Sequence, residues 1–145
     1  MIKLDLNKAA EEFDKINQDT HVFYNTQTGE FALYGSYMDD YDDDPEEFEG
    51  DEWIAAPTVN SLNEYSMMEE FAEGIRKRDT RELLLDALVG KNVFRRFRYA
   101  LKRVGLIDKW YVFRQKCFVD AARNWCDFNG IEYVERIEKV KSKHK

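Results

Sequence analysis

Gly90-Lys91-Asn92-Val93-Phe94-Arg95-Arg96-Phe97 is the stretch on which the reading of this chain turns. Gly90 ends one apolar period and Asn92 opens the next, so the segment joins two helices instead of continuing one. Upstream, Asp79-Thr80-Arg81-Glu82 supplies an acidic cap to a Leu-rich helix through Leu83, Leu84 and Leu88. Downstream, Phe94, Phe97, Leu101 and Val104 share one helical face, which Gly105 closes. Asp108 is placed to cap a third helix, with the stripe Trp110, Phe113, Cys117, Ala121, Trp125 and Phe128 running to Asn129-Gly130. Links of a few residues make these helices near neighbours.

Working back from this segment, Ser61-Leu62-Asn63-Glu64 reads as a capping box, with Ser61 accepting from the Glu64 amide. The helix behind it would bury Leu62, Tyr65, Met68, Phe71 or Ala72, and Ile75. Before position 57 the period changes. His21–Asn25 and Glu30–Tyr34 flank Thr26-Gln27-Thr28-Gly29 and predict a hairpin, with Phe23 and Leu33 proposed for its buried face. Trp53–Pro57 fits an edge strand, because Pro57 has no amide to give a ladder. At the start, residues 5–17 predict an amphipathic helix burying Leu6, Ala10, Phe13 and Ile16, with Asp5 or Asn7 as its cap. Beyond Gly130, residues 131–140 fit either strand or helix. The expected architecture is α+β: one domain over residues 1–145, with a small antiparallel sheet packed on a C-terminal cluster of about four helices.

Charge divides the chain. Residues 1–75 hold three basic and twenty acidic side chains, a net of −17, whereas residues 76–145 hold nineteen and nine, a net of +10. Ten of the acids lie within residues 37–52, among them Asp39, Asp40, Asp42, Asp43, Asp44, Glu46 and Glu47. Self-repulsion there predicts a mobile, solvated loop, and the lysines of residues 139–145 predict a frayed tail. No apolar run approaches the ~20 residues of a membrane span, and the opening residues lead to the expectation of no export signal. Cys117 and Cys126 sit nine residues apart in a predicted helix, about 13 Å along its axis, too far for a disulfide. A reducing cytoplasm is the expected compartment.

Two segments carry a resemblance. Tyr24-Asn25-Thr26-Gln27-Thr28-Gly29-Glu30 resembles the hairpin signature of the uncharacterised protein family numbered 0158. Gly90-x-x-Val93-Phe94-Arg95-Arg96-Phe97, then Gly105-Leu106 and Trp110-Tyr111-x-Phe113-Arg114, resembles that family's helical signature. The order of hairpin, acidic stretch and helices is similar too, over roughly residues 20–131. The resemblance implies a small cytosolic protein of bacterial type and no particular activity. Asn92-Val93 and the charged tail depart from the pattern.

The candidate sites follow the charge. Lys91, Arg95, Arg98 and Lys102 recur at i, i+4, i+7 and i+11, flanked by Arg96 and Arg103, with Tyr99 among them and no acid intervening. Such a helix can hold a polyanion and stack a base on Tyr99, or it can be a plain solvated face. Asp40, Asp42 and Asp44 imitate the first ligands of a calcium loop, yet Pro45 stands where its glycine belongs and Asp51 where its glutamate does. The acids can equally mimic nucleic acid or serve as a solubilising linker. Arg114 falls on an apolar face and needs a carboxylate, for which Asp86 or Glu82 is the expected partner. His21 and His144 neighbour no nucleophile pattern, and neither zinc spacing nor a phosphate-binding glycine loop is present. The expected function is a non-enzymatic cytosolic binding or regulatory module that meets a protein partner through charged surfaces, with no cofactor or metal and no membrane. The alternatives are a nucleic-acid-associated protein using residues 91–104 and a nucleic-acid mimic using the acidic loop.

Overall fold

The computed structural model describes residues 2–35 and 48–135. The carboxylates Asp39, Asp40, Asp42, Asp43, Asp44, Glu46 and Glu47, the calcium-like positions among them and the tail 139–145 lie outside the described residues. Five strands and six helices occur in the described part, in an α+β arrangement. They are β1 (Leu4–Asp5), α1 (Leu6–Phe13), β2 (Thr20–Asn25), β3 (Phe31–Gly35), β4 (Trp53–Ala55), α2 (Val59–Leu62), α3 (Glu64–Glu73), α4 (Arg78–Asp86), α5 (Val93–Arg103), α6 (Ile107–Asn129) and β5 (Tyr133–Val134). The chain falls into two compact units, Met1–Ser61 with Phe118–Lys145, and Leu62–Cys117.

In the first unit, α1 starts where the Asp5 carboxylate accepts from the Asn7 amide, one of the two caps expected. Leu6, Ala10, Phe13 and Ile16 are all buried, as their spacing requires. The sheet has the order β3-β2-β4 and both pairings are antiparallel. Asn25 builds the hairpin turn: its buried side-chain oxygen accepts from the amides of Gln27 and Thr28 at 2.8 and 2.9 Å. Gly29 completes the turn at φ +77°, a conformation that only glycine adopts without strain.

Register overturns one expectation here. Phe23 pairs with Ala32 and Val22 with Leu33, so Phe23 and Leu33 lie on opposite faces. Phe23 is buried and Leu33 is exposed. Central β2 buries Val22, Phe23, Tyr24 and Asn25 in succession because both its faces are covered. Phe23 stacks on Phe48 with ring centres 4.3 Å apart, and Phe48 meets the edge of Trp53. On the other face Tyr24 and Phe13 both meet Trp125 edge-on, at 5.8 and 5.3 Å, and the Trp125 indole donates to the Ala55 carbonyl. After Gly130, Tyr133–Val134 forms β5, parallel to β1, and residues 136–140 lie outside the described residues.

The second unit consists of α3, α4, α5 and the first half of α6. Its centre is aromatic. Trp110 meets Phe97 at 5.4 Å and Phe71 at 5.5 Å, and Phe113 lies 5.4 Å from Phe71. Met67, Met68, Ala72, Leu84, Leu88, Ala100 and Leu101 are buried in this unit as well.

Several caps differ from expectation. Asn63, at φ +51°, interrupts the helical path, so the box of Ser61 and Glu64 does not form. Thr58 instead accepts from the Ser61 amide, and the Asn63 side chain accepts from the Ser66 amide. Asp79 and Asp108 stand inside the first turns of α4 and α6, where a carboxylate still favours the positive end of the helix dipole. Asn92 does precede α5, in the left-handed region, without a capping bond from its side chain. Three apolar residues given to the core are exposed: Tyr65, Phe94 and Phe128. Tyr65 lies at the edge because its hydroxyl donates to the Leu88 carbonyl at 2.9 Å. Phe94 lies in the first turn of α5, at the edge of the buried arc of Phe97, Ala100 and Leu101, and is half exposed there.

Candidate functional site

The site grows from the end of α4. Helix ends leave carbonyls without intrahelical partners, and here a residue from the next helix satisfies them. The Arg96 guanidinium donates to the carbonyls of Asp86, at 3.1 Å, and Val89. This bond needs the chain to reverse between Val89 and Lys91, which Gly90 allows at φ +95°. A Cβ at position 90 would lie in van der Waals contact with the Arg96 guanidinium, 3.4 Å away, so the strain of a side chain there comes from the backbone angle. The Gly90 to Phe97 stretch therefore makes a helix corner: Arg96 ties it to α4, and Phe97 anchors it to Trp110.

Folding the corner in this way opens a groove of about 500 Å³ between α4 and α5. Leu83, Ala87 and Ala100 give it an apolar floor, and the short alanine side chains leave the depression unfilled. Its rim carries Arg95, Arg96, Tyr99 and Arg103 from α5, with Asn92 at one end and Asp86 from α4. Positions 92, 95, 96, 99, 100 and 103 repeat at intervals of three and one, so they share one flank of α5. Arg95 and Arg103 are eight residues apart, about 12 Å along the axis, with Tyr99 midway.

The basic cluster therefore divides. Arg95, Arg96, Tyr99 and Arg103 border the groove, while Lys91, Arg98 and Lys102 are exposed and do not line it. Among the described residues, neither Arg95 nor Arg103 has a carboxylate within ion-pair distance. Arg96 is committed to the α4 carbonyls. The floor residues were missed at the sequence level. The signal was present in the second periodic face of α5, and in Leu83 and Ala87 four apart on α4, but only pairing of the two helices joins them.

Arg114 does not meet Asp86 or Glu82. It forms a bidentate pair with Glu64, Nε to Oε2 at 2.7 Å and Nη2 to Oε1 at 3.3 Å. This pair ties α6 to the first turn of α3, half-shielded from water. Asp86 is exposed on the groove rim, and Glu82 lies 3.9 Å from Arg78 in an exposed pair. The acid was misassigned because α3, not α4, brings a carboxylate to that part of α6.

Two further depressions among the described residues are lined without arginine. One of about 230 Å³ is bordered by Lys8, Glu12, Gly29, Glu30 and Phe31. There the nearly buried Glu12 takes bonds from Lys8 at 3.0 Å and Lys15 at 3.2 Å. Burial pushes its carboxyl up, and the two ammonium groups outweigh that and hold it below the usual range. No set of three His, Cys, Asp or Glu side chains converges on a metal position among the described residues. Neither cysteine is in a disulfide; burial, then the Asp127 charge, pushes the Cys126 thiol up to about 11. No helix among the described residues is long and apolar enough to cross a membrane.

The hairpin turn and helix corner described above are the two segments that resemble family 0158, and the family match extends over residues 1–145. The chain belongs to the uncharacterised protein family UPF0158. No curated protein and no solved structure matches it. In this UPF0158 chain, the residues that carry the resemblance hold the scaffold together. Asn25 and Gly29 shape the hairpin, Gly90 and Arg96 the corner, and Phe97, Trp110 and Arg114 the second unit. Of the groove's rim, Asn92, Arg95 and Arg96 lie within those segments.

Proposed function

We propose that this protein is a non-enzymatic binding module of the cytoplasm whose ligand is anionic and enters the α4–α5 groove. The observation that carries this reading is the pair Arg95 and Arg103, which flank an open apolar-floored groove without any carboxylate partner among the described residues. An exposed guanidinium offers up to five donors in a planar fork, suited to phosphate or carboxylate. Arg96 sets the groove's shape by holding the end of α4. The apolar floor favours a ligand with a carbon-rich part beside its charge, and Asp86 on the rim can accept a hydrogen bond from an N–H of that ligand.

Tripolyphosphate tests the charge requirement directly. Titration calorimetry at low salt should show binding, and the double substitution Arg95→Gln with Arg103→Gln should weaken it at least about ten-fold, because each charge-assisted bond contributes about 1.5–3 kcal/mol. Changing Glu69→Gln and Glu70→Gln, on the solvent side of α3, should leave it unaltered. Equal binding by wild type and the double arginine variant would remove the groove from consideration.

A further inference from the structure

Phe94 and Tyr99 are both exposed, at 51% and 66%, on the most basic helix of the chain. An exposed phenyl ring gains nothing from solvent, and Phe94, in the first turn of α5, lies at the edge of the buried arc formed by Phe97, Ala100 and Leu101 with half its surface open. At about 100° per residue, Phe94 and Tyr99 bound an arc of about 140°. Arg98, Lys102 and Arg95 fall inside that arc, in that angular order, and Lys91 precedes the helix. The outward face of α5 is thus a strip of three cations with an aromatic ring along either edge. No Asp or Glu occurs from residue 87 to residue 107, so nothing within this segment competes for those cations.

We infer that this face binds single-stranded nucleic acid, the cations holding consecutive phosphates and Phe94 and Tyr99 each stacking on a base. This rests on the reading of the α4–α5 region as an anion site and names its ligand. Two features select a single strand. Base faces are open to aromatic rings only where the strand is unpaired, whereas a duplex shows its phosphates and base edges. The two rings are five residues apart, about 7.5 Å along the helix axis and about 140° around it, so they stand farther apart than the ~3.4 Å rise between stacked bases of a duplex. That separation accommodates an extended strand whose bases are splayed onto separate rings. Arg103 and the groove floor lie beyond Tyr99, where they can receive the next nucleotide.

The test uses the full chain and a dye-labelled oligo(dT), read by fluorescence anisotropy. The same strand annealed to oligo(dA), and inorganic polyphosphate as a competitor, complete the set. Single-stranded oligo(dT) should bind tightest, and log affinity should fall linearly with log salt, by about 0.7 per phosphate engaged. Phe94→Leu and Tyr99→Leu should each weaken binding about ten-fold without changing the salt slope, since stacking releases no counterion. Arg98→Gln with Lys102→Gln should reduce the slope itself. All four positions are exposed, so the melting temperatures should stay at the wild-type value. Preference for the duplex overturns the inference, as does polyphosphate competing equally well while both aromatic variants bind like wild type. In that second case the anion-binding reading survives. Absence of binding to any of the three polyanions at low salt overturns both.

Discussion

Phe97 shows how one side chain governs its surroundings. It is 1% exposed and meets Trp110 edge-on, so Phe97→Ala removes a ring from a space that α5 and α6 cannot close by sliding. The expected loss is about 3–5 kcal/mol, a large share of the 5–15 kcal/mol typical of a domain. Chemical denaturation reads it, and an unchanged midpoint would place the ring in solvent. Glu12 gives the matching case for charge. Its carboxyl is held below the ordinary value of 4.5 by Lys8 and Lys15. A depressed folded-state pKa stabilises the fold above the unfolded value, and that gain is lost as pH falls through the folded value. Glu12→Gln should therefore melt below wild type at neutral pH, with the gap closing as both proteins are taken well under pH 4.5. A gap that stays constant through the acid range would mean that packing, not charge, accounts for the difference.

Between elements, the ends of helices decide which neighbours meet. The α4 terminus is held by Arg96 from α5 and, one residue before Val89, by the Tyr65 hydroxyl from α3. Arg81 donates to the carbonyls of Ile75 and Arg76 and so closes the link from α3 into α4. The Arg114–Glu64 pair then fixes α6 against α3. Because that pair is bidentate and half-shielded, its coupling should exceed that of an open surface pair. A double-mutant cycle with Arg114→Met and Glu64→Gln, read by thermal unfolding, should return a coupling of about 1–2 kcal/mol, within the usual range for contacting residues. A coupling near zero would reduce the pair to incidental proximity.

For the whole molecule, the two units differ in how the chain assembles them. Leu62–Cys117 is continuous, and its aromatic centre is made by helices near one another in sequence. The first unit is discontinuous, because Phe13, Tyr24 and Ala55 all depend on Trp125. Leu4 likewise pairs with Tyr133. A fragment of residues 1–117 lacks these closing contacts. Its hairpin region should give a collapsed amide spectrum, while Phe97 and Trp110 remain together in the retained segment. A well-dispersed hairpin in that fragment would show that β2–β4 need neither Trp125 nor β5.

Period, turn chemistry and helix stops were legible along the chain, because they arise from neighbours a few residues apart. Leu6, Ala10, Phe13 and Ile16 marked the buried face of α1. Gly29, Gly90, Gly105 and Gly130 marked the stops, and Trp53–Ala55 emerged as the strand that Pro57 follows. The cations of α5 were visible as charge, but not the groove that only some of them border. The faces of Phe23 and Leu33 depended on hairpin register, and the partner of Arg114 on which helix packs beside it. Phe94, Tyr65 and Phe128 followed the apolar period, yet are exposed. Local geometry sets which residues share a side of a helix or strand. Whether that side is buried, and by what, is settled by contacts between segments distant in sequence, since burial free energy depends on the surface that another element covers.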